Sequence, residues 1–228
     1  MEKIALQLAD EGSFRPVEDG LTSADPLAWP DYPDELRAAA ERSSSDESVV
    51  AGPCTIGTHE VELALFDFGF MGGSMGEVAG ARLVNSLERA AARGVPFVLR
   101  TATGGARMQE GMRSLAQMPK VVAARSVLTD ARQPFICVLG NPTTGGVLAS
   151  IAALADLTVA ESDATIGFVG PRVAQGFTGR PLPETSHTAT SAFSHGLVDE
   201  LVTAADARAY LVTALETLAR DAPARDAG

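Results

Sequence analysis

Thr103-Gly104-Gly105-Ala106-Arg107-Met108-Gln109-Glu110 follows the apolar run Phe97-Val98-Leu99 and opens a helical stretch, yet it holds no serine, cysteine or histidine. What such a loop offers is backbone. Two adjacent glycines let the chain turn sharply and let a ligand approach the main chain. N–H groups at a helix start have no intrahelical acceptor and sit at the positive end of the dipole, so they can hold a developing oxyanion. That suits chemistry passing through an enolate.

The device occurs three times. Phe135 to Leu139 is an apolar run leading through Gly140-Asn141-Pro142-Thr143-Thr144 to Gly145-Gly146 and the helical stretch 147–155. Phe70-Met71-Gly72-Gly73-Ser74-Met75-Gly76 leads into a helix from near Ser74 to Arg93. One diglycine among 22 glycines reads first as an ordinary turn. Three strand–diglycine–helix units predict a layered α/β core whose loops gather at one end.

Working outward, the strand-like runs 49–51 and 61–66 flank a glycine-containing turn and predict a hairpin. Gly80, Val84, Leu87 and Ala91 share one helical face that is expected to pack inward, and Gly94-Val95-Pro96 ends that helix. Met108, Met112 and Leu115 form a second stripe, expected in the core. Pro119 is expected to kink or break its helix. A strand at 156–160, the run Ile166 to Arg172 and a closing helix over 206–220 complete the pattern. Parallel strands alternating with helices, with no G-x-G-x-x-G in context, fit a ββα spiral better than a dinucleotide-binding sheet.

The 228 residues, 46% of them hydrophobic, suffice for one substantial core. Net charge is −11, and it is uneven: residues 1–50 hold 12 acidic against 4 basic side chains, leaving −3 for the rest. With prolines and serines interspersed, residues 1–47 read as an acidic, partly helical N-terminal arm. It has a short amphipathic stretch near 4–8 and a surface helix over 34–42. The domain proper is expected over 48–220, and 221–228 as a disordered tail. Clustered basic residues are missing, so no nucleic acid partner is expected. Cys54 and Cys137 lack ligand spacing, and His59, His187 and His195 are scattered, so no metal site is expected. With neither signal pattern nor spanning run, the expectation is a cytoplasmic protein with no membrane association.

Four motifs together, Phe68 to Gly76, Gly104 to Glu110, Asn141 to Val147 and Ile166 to Val173, resemble the β subunit of bacterial acetyl-CoA carboxylase carboxyltransferase. The resemblance runs in order through most of residues 50–203. It implies a crotonase-like ββα spiral of the ClpP/crotonase superfamily, one α/β domain, with an active site shared with an α-type subunit. It implies transfer of a carboxyl group between carboxybiotin, held on a separate biotin carboxyl carrier protein, and the α-carbon of an acyl-CoA or acyl carrier protein. Carboxybiotin would release CO2, its ureido anion would take the α-proton, and the enolate would capture CO2. A base supplied by the co-substrate accounts for the lack of a Ser, His or Cys triad.

By the same resemblance, Gly104 and Gly105 are the expected oxyanion donors, with Gly145 and Gly146 in the second loop of the pocket. Gly72, Gly73, Ala106, Gly170, Pro171 and Arg172 would line the acyl-CoA path. Arg107 would pair with a CoA phosphate or the transferred carboxylate, or else with Glu110 at i, i+3. Family members typically begin with a four-cysteine zinc ribbon that these residues lack, so no zinc is expected. Gly73-Ser74-Met75-Gly76-Glu77-Val78 is also similar to the β subunit of malonate decarboxylase. The competing expectations are a biotin-independent malonyl-thioester decarboxylase, a hydratase or hydrolase using Glu77 or Glu110 as acid or base, and a non-catalytic crotonase-fold partner subunit.

Overall fold

Alternation along the strands sets the layers. In β4 (Phe135–Thr144), Phe135, Cys137 and Leu139 enter one apolar cluster while Ile136 and Val138 enter another, so the strand is buried on both faces. The computed structural model describes residue 5 and residues 7–220, and within them the strands form a seven-stranded sheet. β1 (Val49–Ile56) and β2 (His59–Phe66) make the antiparallel hairpin, pairing Val49 with Phe66 and Ile56 with His59. β3 (Phe97–Thr103), β4, β5 (Leu157–Glu161) and β7 (Glu200–Val202) continue in parallel, and the two-residue β6 (Ile166–Gly167) pairs with the end of β4.

One face of the sheet is covered by α2 (Glu77–Arg93) and α3 (Met112–Asp130), with Leu83, Leu87, Val121 and Leu128 in the shared core. The other is covered by α7 (Ala207–Arg220), which buries Leu211 and Leu215 against Leu63, Leu65 and Val138. Full burial of each such leucine contributes about 1.5–3 kcal/mol. Several expectations shift in detail. α2 starts at Glu77 rather than Ser74, because residues 71–73 form a 3-10 turn first. Its buried face runs through Ala79, Leu83, Leu87 and Ala90, leaving Val84 and Ala91 half-buried at its margin. Pro119 lies inside a continuous α3. Proline removes one N–H and so one hydrogen bond, and packing against α2 and the sheet holds the helix through it.

The acidic N-terminal stretch is packed rather than extended from the domain. Asp10, Arg15 and Val17 donate backbone N–H groups to Thr55, Pro53 and Ala51 at 2.8–3.0 Å, covering the otherwise open edge of β1. Its helix, α1 (Tyr32–Ser43), buries Tyr32 and Ala39. The acids neutralise arginines of the layered core: Asp19 and Asp46 flank Arg82 at 2.9 and 2.8 Å, Asp10 pairs with Arg208, and Glu47 pairs with Arg107. Part of the uneven charge is therefore complementary charge. The expected 4–8 stretch falls partly, and the expected 221–228 tail wholly, outside the described residues.

Candidate active site

Paired hydroxyls align the ends of β3 and β4. Thr101 and Thr143 share a hydrogen bond of 2.8 Å, and the Thr144 hydroxyl donates to the Thr103 carbonyl at 3.2 Å. The loops that leave these ends therefore run side by side. The first diglycine loop joins them: Gly104 N–H donates to Gly72 O at 2.9 Å, Met75 N–H to Gly105 O at 2.8 Å and Arg107 N–H to Met75 O at 3.0 Å. All three diglycine turns meet at one end of the sheet, as their recurrence predicts.

Contact at the centre is close enough to require glycine. Gly105 has φ +108°, and a Cβ there would lie 3.1 Å from Gly145 Cα and 3.5 Å from Gly146 N. Gly145 has φ +72°, and its Cβ would lie 2.7 Å from Gly105 Cα.

The donor assignment expected from the resemblance needs correction. Gly104 N–H is committed to the Gly72 carbonyl, and Gly105 N–H donates to the Thr103 hydroxyl at 2.9 Å. Gly145 N–H donates to Phe168 O at 3.0 Å. These glycines build the turn rather than serve a ligand. Two donors remain. Ala106 N–H meets no acceptor among the described residues, and Gly146 is the second residue of α4 (Gly145–Ser150), whose first-turn N–H groups have no intrahelical acceptor. Gly146 N lies 3.5 Å from where a Gly105 Cβ would be, one residue from Ala106, so the two donors sit on loops in close contact.

Arg107 is also corrected. Its side chain is 0% exposed, and its guanidinium donates to Glu47 Oε2 at 2.8 Å, Ser74 O at 2.8 Å and Glu110 Oε1 at 3.3 Å. Tyr32 donates to Glu110 Oε1 at 2.6 Å, and Glu77 N–H donates to Glu110 Oε2 at 2.5 Å. Phe70 stacks on the guanidinium, 5.4 Å from ring centroid to Cζ. No donor is left for a phosphate. Of the two alternatives, the i, i+3 partner Glu110 is present, but Glu47, 60 residues away, is the stronger one. Burial alone would raise the Glu47 carboxyl, yet the hydrogen bonds and charge of Arg107 outweigh it and hold the group below the usual carboxylate range. Tyr32, buried and donating to Glu110, is pushed above the ordinary phenol range.

The acid–base candidates fare accordingly. Glu110 is buried inside this network, facing away from solvent. Glu77 starts α2 and pairs with Arg113 of α3 at 3.1 Å on the surface.

A cavity of about 590 Å3 opens over the loop. Gly72, Gly104 and Ala106 line one part of it, with Phe68, Met71 and Met108 as an apolar wall. Glu35, Ala38 and Arg42 of α1 close another side. Reading the sequence missed this wall, although residues 35, 38 and 42 have the three- and four-residue spacing that puts them on one helical face. The remaining predicted residues separate. Gly170 and Pro171 lie at the start of α5 (Pro171–Thr178), next to the Phe168 carbonyl that caps Gly145. Arg172 lines a different, open concavity with Gln175, Gly176 and Arg180.

Met108 and Met112, expected in the core, are 73% and 75% exposed, and Leu115 is exposed beside them. Phe168, Val173 and Phe177 are exposed on the other side of the second loop, and α5 buries none of its side chains. Apolar side chains thus flank the meeting point of the loops on both sides.

The model of the carboxyl transferase domain matches residues 5–196. The chain is 44% identical over 198 residues to the acetyl-coenzyme A carboxylase carboxyl transferase subunit beta of Protochlamydia amoebophila, covering 86% of this chain and 65% of that one. It is 43% identical over 201 residues to the subunit of that name from Rubrobacter xylanophilus, covering 88% and 78%. Among solved structures it resembles the transcarboxylase 12S core with hydrolysed methylmalonyl-coenzyme A bound. The TM-score there is 0.78 at 27% identity, over 94% of this chain and 41% of that one. It also resembles a Pseudomonas malonate decarboxylase hetero-dimer, with a TM-score of 0.73 at 27% identity over 95% and 85%. The motifs, the parallel sheet with its converging loops and these matches agree: the chain belongs to the carboxyl transferase domain family.

Proposed function

We propose that this chain is the β-type subunit of an acyl-CoA carboxyltransferase, moving a carboxyl group between carboxybiotin and the α-carbon of a small acyl-CoA such as acetyl-CoA. The observation that carries this reading is the pair of available N–H groups, Ala106 and Gly146, on loops that touch. They would receive the thioester oxygen as the α-carbon becomes an enolate. A donor of this kind is worth about 2.7–4 kcal/mol when it lies about 2.7–3.1 Å from the oxyanion.

Around that position the chain offers backbone, thioether and aromatic groups, the lining carboxylate Glu35 accepts from the Gln109 amide, and Glu110 is held by Tyr32 and the Glu77 N–H. Such surroundings fit a co-substrate that brings its own base. Carboxybiotin, delivered by a separate carrier protein, would supply both the carboxyl group and the base for the α-proton. The task of this chain is then to bind and orient the thioester, exclude water with Phe68, Met71 and Met108, and hold charge on the oxygen.

The exposed apolar side chains on both sides of the loops support an α-type partner that completes the site. The test is acetyl-CoA formation from malonyl-CoA by the chain purified with that partner, with and without free biotin. Biotin-dependent product supports carboxyl transfer run in reverse. Equal product without biotin would instead establish a decarboxylase.

A further inference from the structure

Glu35, Ala38 and Arg42 present one face of α1 to the cavity that contains Ala106. Seven residues separate Glu35 from Arg42, about 10 Å along a helix. The carboxylate is engaged, since Gln109 donates its amide to Glu35 at 2.9 Å. The guanidinium is not: among the described residues Arg42 makes no ion pair and no side-chain hydrogen bond, whereas Arg37 on the same helix pairs with Asp34. Arg42 sits in the last turn, where its only structural role is a favourable interaction with the helix dipole. Ala38 lines the cavity with them.

A cavity of about 590 Å3 has the size of a small-molecule site. Its lining combines Ala106 with its available N–H, the apolar side chains of Phe68, Met71 and Met108, the hydrogen-bonded pair Glu35 and Gln109, and the unpaired Arg42. A thioester of phosphopantetheine carries groups that match these types: a carbonyl, a long weakly polar arm and a phosphate. Arginine suits that end because its planar fork donates two hydrogen bonds to a phosphate.

We propose that Arg42 is the phosphate-binding residue of the site, gripping the phosphate at the end of the pantetheine arm while Ala106 receives the thioester oxygen. The phosphate comes either from CoA or from a carrier protein's prosthetic arm. The assignment rests on the acyl-thioester reading above. It also gives the N-terminal stretch a functional part, since α1 supplies the residue.

The experiment uses the complex with its α-type partner and compares malonyl-CoA, malonyl-phosphopantetheine, malonyl-pantetheine and malonyl carrier protein. Arg42→Ala should raise KM for a phosphate-bearing thioester about tenfold or more, with kcat nearly unchanged, and leave malonyl-pantetheine unaffected. Arg42→Lys should recover part of the loss, and free CoA should compete less well against Arg42→Ala. An effect with CoA and phosphopantetheine assigns the CoA arm, and an effect confined to the carrier protein assigns the carrier's arm. An equal rise for malonyl-pantetheine, or no rise for any substrate, overturns the proposal. Wild-type complex inactive on all four thioesters, yet still binding free CoA less tightly after Arg42→Ala, would reject the reaction while retaining the phosphate site.

Discussion

Replacing Gly105 by alanine tests the site where its geometry is tightest. The residue has φ +108°, so any side chain is strained there, at a cost of about 1–3 kcal/mol. The new Cβ would lie 3.1 Å from Gly145 Cα and 3.5 Å from Gly146 N. A methyl so placed crowds the donor that an oxyanion must approach to about 2.7–3.1 Å. Relief by backbone rotation moves the next peptide, and with it Ala106 N–H. Either response removes at least one donor, so kcat should fall about 10²–10³-fold. Stability should fall only by the strain, lowering Tm by about 2–12 °C for a chain of this size. The assay is biotin-dependent release of acetyl-CoA from malonyl-CoA, with circular dichroism to establish folding. Gly12→Ala is the control, because Gly12 has φ +67° with nothing within 4 Å and so carries strain without site contact. Folded Gly105→Ala protein with kcat within about twofold of wild type would refute the donor assignment.

Glu47→Ala should destabilise the protein by about 3–5 kcal/mol in urea titrations, because it leaves the Arg107 guanidinium buried without its main counter-charge. Asp10, Asp19, Asp46 and Glu47 all have carboxyls held below their ordinary range in the fold. Their contribution is present above the unfolded values near pH 4 and is lost as pH falls through the lower folded values. Acid should therefore release the N-terminal stretch, and fluorescence of the sole tryptophan, Trp29, should report a transition below about pH 4 that Arg82→Met shifts upward. Burial pushes the Cys54 thiol up to about 12 and Cys137 higher still, so both should resist a thiol reagent at pH 8 and react together once the protein is denatured.

Where local pattern carries the information, the sequence was legible. The hairpin, the buried central strands and the closing helix follow from apolar periodicity, which reports burial directly. The three diglycine turns predicted converging loops because each places a strand end before a helix start. Family membership followed from the motifs built on those turns. The errors share one cause. Met108, Met112 and Leu115 have helical spacing, but spacing does not say which side of a helix has a neighbour, and theirs faces outward. The acidic stretch read as a partly helical arm because its partners, Arg82, Arg107 and Arg208, lie 36 to 198 residues away.

The sequence by itself determined the layers and the loops, since these follow from periodicity and from glycine's access to positive φ. Only the tertiary structure decided which N–H groups stay available. Gly104 and Gly105 look like donors in one dimension, and they lose that role because Gly72 and Thr103 accept from them. Arg107 looked like a ligand for phosphate and became a buried tie, while Arg42, in a stretch read as surface, was left facing the cavity. A backbone donor or a charge is defined by what it lacks, and only packing shows which partners have already been taken.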